Sequence, residues 1–181
     1  SDDAGRYVRE IHRSRDGTWW FGTDAGILKL EGGHLVKAEA LENRWVLALG
    51  SDEQGNLWYG HGWQGDGVSR FNPKTGQTVS FTTANGLPDD QVWCIAEGSD
   101  GGVWVGTSGG LARCRDGKIE DFREKLGIPT GAVFDLRRDA HDVLWIASRL
   151  GLHRLKGSER FSIPATNGLP DPHICCSTRT R

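Results

Sequence analysis

The chain has 181 residues, 36% of them hydrophobic and 25% charged, which is enough apolar material for one buried core and too much for a disordered chain. A formal net charge of −2 excludes the basic surface that nucleic acid or an anionic membrane would recruit. The apolar runs are only a few residues long, so no segment of this chain is expected to span a membrane. The chain holds 26 Gly and 8 Trp, and frequent Gly between short apolar runs means many turns and many short strands. It begins at Ser1 with no visible secretory leader and contains no Met, which reads as a piece of something longer.

From the N-terminus one unit is written four times. It opens with an apolar run: YVREI from Tyr7, WVLAL from Trp45, VWCIA from Val92 and VFDL from Val133. A polar turn follows (SRDG, SDEQG, GSDGG, RDAHD) and reads as a plain hairpin rather than a calcium loop. The second run carries tryptophan at a fixed place, in GTWWFGT from Gly17, GNLWYGH from Gly55, GGVWVGT from Gly101 and DVLWIAS from Asp142. A third run begins at Gly26, Gly67, Gly110 and Gly151, and after another turn a fourth closes the unit (LVKAEA, TVSFTT, IEDFRE, RFSIPA). The shared residues Trp20, Trp58, Trp104 and Trp145 lie 38, 46 and 41 residues apart, a period that marks a repeat architecture.

Four antiparallel strands, A to D, in about forty residues make a propeller blade. The predicted fold is all-β: four four-stranded antiparallel blades over residues 6–43, 44–90, 91–131 and 132–171 of a single domain, plus one extra strand where 172–181 starts a fifth unit. No stretch shows the 3.6-residue period of a helix. Apolar residues in A and B are consecutive rather than alternating, as in strands covered on both faces. Trp20, Trp58, Trp104 and Trp145 are therefore assigned to packing between neighbouring blades, since a repeat cannot cover its own face. Gly22, Gly60 and Gly106 follow two residues later, where backbones approach closely, and Ala147 is expected to keep that space in the fourth copy.

The run GLPDDQVWCIAEGSDGGVWVGTSGGLARCRDGK, Gly86 to Lys118, resembles the repeat of two-component regulator propellers, and the likeness extends over nearly the whole chain. The resemblance implies a non-catalytic, ligand-sensing region of a bacterial histidine kinase, often a hybrid kinase. It also implies a periplasmic or extracytoplasmic location, with the membrane helix and kinase core elsewhere in a parent protein. Members of that family usually hold many more repeats, in seven-bladed rings. Four repeats and a fraction imply a partial propeller, either completed to about eight blades by a second chain or packed on the rest of a longer one. An open arc would expose an apolar blade face at each end, which favours self-association. Similar blade chemistry occurs in virginiamycin B lyase-like propellers. A lyase-like enzyme and a protein-interaction scaffold are the alternative functions.

In an up-and-down blade the D-to-A and B-to-C connections share one face of the disc. The second unit has a longer B-to-C loop, His61-Gly62-Trp63-Gln64-Gly65-Asp66, with Trp63 outside the repeat pattern. The expected ligand-binding residues on this face are Arg44, Trp45, His61, Trp63, Gln64, Asp66, Asp90, Gln91 and Arg149. Aromatic, amide and carboxylate groups together suit a small molecule such as a glycan. The six His share no motif across the repeats, so no catalytic residue, metal site or cofactor is expected; His61 with Asp66 is the one neighbouring pair. Cys94, Cys114, Cys175 and Cys176 read as buried thiols, with a Cys94–Cys114 disulfide left open.

Overall fold

The computed structural model describes residues 7–38, 41, 44–62, 65–123, 131–164 and 166. The first sheet is β1 (Val8–Arg13), β2 (Trp19–Thr23), β3 (Gly26–Glu31) and β4 (His34–Lys37); the second is β5 (Val46–Ser51), β6 (Leu57–His61), β7 (Val68–Phe71) and β8 (Thr78–Phe81). The third is β9 (Val92–Glu97), β10 (Val103–Thr107), β11 (Gly110–Arg115) and β12 (Lys118–Asp121); the fourth is β13 (Val133–Arg138), β14 (Leu144–Ser148), β15 (Gly151–Lys156) and β16 (Glu159–Pro164). Each sheet pairs its strands antiparallel in chain order, which is the propeller blade. The one helical element among the described residues is a 3-10 turn, Thr83–Asn85, held by a capping box with Thr82. The strand expected at 172–181 lies outside the described residues, as do Trp63, Gln64, Cys175 and Cys176.

The A-to-B hairpin is locked by the shared tryptophan. The indole Nε1 of Trp20 donates to Ser14 Oγ at 2.7 Å, that of Trp58 to Asp52 Oδ2 at 2.8 Å and that of Trp145 to Asp139 Oδ2 at 3.1 Å. The acceptor stands six residues before the tryptophan each time. In the third copy that position is Gly98 and has no side chain; there Arg113 lies 5.0 Å from the Trp104 ring centroid. Asp52 is buried and also accepts from the Asn56 backbone N–H and side-chain amide. Three hydrogen bonds compensate the burial of its carboxylate.

Three apolar clusters join consecutive blades. Trp20, Ile27 and Val46 meet Leu57, Tyr59 and Phe71 at the first seam. Trp58, Val68 and Phe81 meet Val92, Val103 and Val105 at the second. Trp104 and Leu111 meet Val133, Leu136, Leu144 and Ile146 at the third. Each tryptophan thus faces the blade that follows its own. Trp145 has no following blade among the described residues and is half-buried.

The glycines of strand B hold the seams close. A Cβ on Gly60 would lie 2.4 Å from Val92 Cγ1, and one on Gly106 would lie 2.8 Å from Val133 Cγ1. Gly22 faces Val46 in the same way at 3.0 Å. Ala147 holds the equivalent place in the fourth blade, over which no following blade lies among the described residues. Cys94 and Cys114 are free buried thiols, not a disulfide.

The fourth blade contains a buried histidine. His153 on β15 bonds Ser148 Oγ through Nε2 at 3.0 Å and Ser162 Oγ through Nδ1 at 2.8 Å. Burial lowers its pKa below the ordinary histidine value. A lowered folded value means the stability from neutral His153 is present above the unfolded value, about 6.5, and is lost as pH falls through the folded one. The thermal midpoint is expected to drop between pH 8 and pH 5, and less so in His153→Gln. Equal drops in the two proteins would remove His153 as the cause.

Candidate functional site

The A strands β1, β5, β9 and β13 lie side by side in that order, each against the next, and form the inner wall of the arc. Their register with strand B slips by one residue at the same place in all four blades. The slips fall between Val8 and Glu10, Val46 and Ala48, Val92 and Cys94, and Val133 and Asp135. Such a bulge leaves the extra residue out of the ladder and re-aims its side chain. The extra residues are Arg9, Leu47, Trp93 and Phe134, and all four line one cleft of about 280 Å³ on the concave side. A second cleft of about 640 Å³ continues along the same strands past His12, Ser51 and Glu97 toward the A-to-B turns. The two share Glu10, Leu49, Ile95, Leu136 and Arg137 as wall, so together they form an axial channel.

The mouth of this channel is aromatic and cationic. Trp93 and Phe134 meet edge to face with ring centroids 6.4 Å apart. The Arg9 guanidinium carbon lies 5.2 Å from the Trp45 ring centroid and 5.3 Å from that of Tyr7. Trp93 Nε1 donates to Ser108 Oγ at 2.8 Å, and Ser108 Oγ donates to Gln91 Oε1 at 2.6 Å. This relay fixes the Trp93 ring and uses up the Gln91 carbonyl. B-to-C turns stitch the rim to the strand starts: Gly62 N–H donates to the Trp45 carbonyl, Ser108 N–H to that of Gln91 and Arg149 N–H to that of Ala132. Deeper in the wall Arg137 Nε pairs with Asp135 at 3.4 Å.

The residues expected from the sequence divide by location. Trp45 and Gln91 stand on the rim of the channel. Arg44 forms an ion pair with Asp66, which ties the B-to-C loop of the second blade to the start of β5. Asp90 is occupied locally, accepting from Thr83 N–H at 2.6 Å and Thr83 Oγ1 at 3.0 Å. His61 is buried, edge-on to Tyr59 with ring centroids 5.3 Å apart, and so belongs to the blade interior. Arg149 is exposed on the B-to-C turn of the fourth blade. Trp63 and Gln64 lie outside the described residues. Arg9, Leu47, Trp93, Phe134 and Ser108 were not expected. Their signal was the position after the first Val in Val-Arg-Glu-Ile, Val-Leu-Ala-Leu, Val-Trp-Cys-Ile and Val-Phe-Asp-Leu, which breaks the strand pattern in every copy.

The channel wall carries no activated nucleophile at Cys94. Burial, reinforced by the Asp135 carboxylate, pushes its thiol well above the ordinary range, and burial pushes that of Cys114 to about 11. Among the described residues no group of three His, Cys, Asp or Glu side chains converges as metal ligands would. No helix among them is long and apolar enough to cross a membrane.

The fold is that of several solved proteins. The extracellular domain assigned to a one-component system of B. thetaiotaomicron is 19% identical, with a TM-score of 0.74 over 89% of this chain and 25% of that one. A catalytically inactive virginiamycin B lyase from Staphylococcus aureus, solved with quinupristin, is 19% identical, with a TM-score of 0.69 over 92% of this chain and 59% of that one. The extracellular domain assigned to a hybrid two-component system of B. thetaiotaomicron is 22% identical, with a TM-score of 0.53 over 94% of this chain and 30% of that one. The chain thus spans between a quarter and six-tenths of these proteins. No curated protein matches its sequence. The sequence profile of the two-component regulator propeller matches residues 86–109, the loop, β9 and β10 that carry Gln91 and Trp93. Residues 86–109, which match the two-component regulator propeller repeat, thus hold the first two strands of the third blade in an arc of four.

Proposed function

We propose that the chain is the ligand-sensing, non-catalytic propeller region of an extracytoplasmic two-component sensor, and that it holds its ligand at the axial mouth. The observation that carries this reading is the bulge repeated in all four A strands, which turns Arg9, Leu47, Trp93 and Phe134 into one cleft. A repeat that spends an unpaired residue at the same place in every copy builds a site rather than a seam. Aromatic faces, an arginine and the Gln91 amide suit a small polar ligand with apolar faces, such as a sugar. The extracellular domains of similar fold support the placement outside the cytoplasm.

The test is a titration of the purified chain with neutral and acidic oligosaccharides, read by tryptophan fluorescence and calorimetry. Trp93→Ala is expected to weaken binding of a responding sugar about tenfold, since loss of one aromatic stacking face costs roughly 1.5 kcal/mol. Arg149→Ala, on the turn rather than in the cleft, is expected to change it less than twofold. No response from any sugar, or an unchanged affinity in Trp93→Ala, rejects the mouth as the site.

A further inference from the structure

Below its aromatic mouth the axial channel is polar, and the repeat shows that the seams do not require this polarity. Opposite the shared tryptophan, strand A carries His12, Gly50, Ala96 and Arg137; one residue further on it carries Arg13, Ser51, Glu97 and Arg138. The position before them is apolar in every copy: Ile11, Leu49, Ile95 and Leu136. A residue that packs one blade on the next is repeated with its blade. The polar groups at these two positions differ from copy to copy, so they serve no duty that the seams share. The cleft of about 640 Å³ opens on them, with His12, Ser51, Glu97, Arg137 and Arg138 in its wall.

Contacts between blades hold these groups in place. His12 Nε2 and Ser51 Oγ share a hydrogen bond of 2.7 Å from β1 to β5, with Ser51 buried and His12 half-buried. Glu97 at the end of β9 pairs with Arg15, which reaches it from the β1–β2 turn across β5. Arg137 pairs with Asp135 at 3.4 Å and Arg138 with Asp142 at 3.5 Å. The arginines here are thus matched within the protein, and the lower channel offers a ligand hydrogen-bonding groups rather than a bare cation. A carboxylate has about four lone-pair sites, so the ion pair with Arg15 leaves Glu97 room to accept from hydroxyls.

From Trp93 at the mouth to Glu97 the wall runs along a single strand for about 13 Å, at the usual rise of a β-strand. That is longer than one sugar ring, and the clefts of about 280 Å³ and 640 Å³ share this wall. We infer that the ligand is a linear oligosaccharide rather than a single sugar. Its end unit lies on Trp93 and Phe134, and the uncharged units that follow run down the A strands to hydrogen-bond His12 and Glu97. The inference rests on the reading that the mouth holds a sugar, and adds a second subsite that reads chain length. A chain of sugars supplies what both halves need: an apolar ring face for the aromatic mouth and hydroxyls for the polar channel below.

The experiment is calorimetry on the purified chain with glucose, galactose, mannose and xylose, each compared with its linear di- and trisaccharide. The trisaccharide of a responding sugar is expected to bind roughly tenfold tighter than the monosaccharide, the gain from one hydrogen bond to a charged group. His12→Ala and Glu97→Ala are each expected to remove most of that gain and to leave the monosaccharide affinity unchanged. Trp93→Ala is expected to weaken every length alike. His12 and Glu97 lie outside the apolar clusters of the seams, so both variants keep the fold, and near-ultraviolet circular dichroism checks it. Equal affinity for monosaccharide and trisaccharide overturns the second subsite while leaving the mouth, and so does a gain with length that survives both substitutions. No response to a sugar of any length overturns both.

Discussion

Gly60→Ala is expected to destabilise the chain by about 3 kcal/mol, the upper end of the cost of overfilling a packed core. The new methyl would stand 2.4 Å from Val92 Cγ1, 2.8 Å from Val92 Cβ and 3.3 Å from the Ala48 Cβ. Val92 is fully buried in the second seam and has nowhere to turn. The backbone at Gly60 is not in the left-handed region, so the cost is steric alone. Val92→Ala removes the nearest clashing atom, Cγ1, and leaves the Cβ at 2.8 Å, so the double substitution is expected to be more stable than the sum of the singles by roughly 1–2 kcal/mol but not fully relieved. Gly131→Ala is the control: its methyl would meet only ordinary contacts, at 3.7 Å and beyond. Its expected effect is under about 0.5 kcal/mol. Urea unfolding of the four variants measures all of this. A Gly60→Ala chain as stable as the wild type would mean that the seam between blades 2 and 3 is looser than described.

Trp58→Ala and Trp145→Ala make the second comparison, because one motif sits in two surroundings. Trp58 is 2% exposed. It stacks on Phe81 with ring centroids 5.7 Å apart and an interplanar angle of 12°, and its Nε1 donates to buried Asp52. Truncation opens a cavity in the second seam and strips one donor from Asp52, for an expected loss of about 4 kcal/mol. Trp145 makes the same hydrogen bond, to Asp139, but no described blade lies over its ring. That bond, with those from the Val143 and His141 backbone, holds the Asp139 carboxyl below its ordinary pKa. Truncation of Trp145 in dilute solution is expected to cost roughly 1 kcal/mol. Unfolding midpoints measured below the concentration of any self-association separate the two. Similar losses at the two sites would show that the tryptophan acts through its hairpin alone and not through the seam.

The axial mouth and the seams answer to different parts of the repeat. Strand B supplies the tryptophan and the glycine that set the spacing between blades. Strand A supplies the bulge residue that faces the axis. Substitution can therefore alter the mouth without loosening the arc: Trp93 and Phe134 vary between copies where Leu47 and Arg9 stand, while the valine before each is kept. One scaffold can present different side chains at the mouth because the bulged residue is outside the ladder and only half-buried or exposed.

The sequence alone determined the blade. A tryptophan recurring about every forty residues, between Asp/Gly turns and ahead of a glycine, is a local pattern, and the antiparallel hairpins it describes close over short loops. The duty of Trp20, Trp58 and Trp104 followed from the same periodicity, since a sheet apolar on both faces must be covered by its neighbours. The site was only partly legible. Trp45 and Gln91 were named because they lie beside loops, where composition is informative, and the structure places them next to Arg9 and, through Ser108, Trp93. Arg9, Trp93 and Phe134 were read as ordinary strand residues, because a one-residue slip of register leaves no mark in composition and is decided by how strand A meets strand B at the axis. His61 was misplaced for the converse reason: it adjoins a long loop in sequence, but the pleat turns its ring inward against Tyr59. The clearance at the seams was equally illegible: only the distance from Gly60 to Val92 shows how little room they leave. Periodicity names the repeating unit from neighbours along the chain, whereas clearances and pointing directions depend on residues forty positions away, which only the packed tertiary structure brings together.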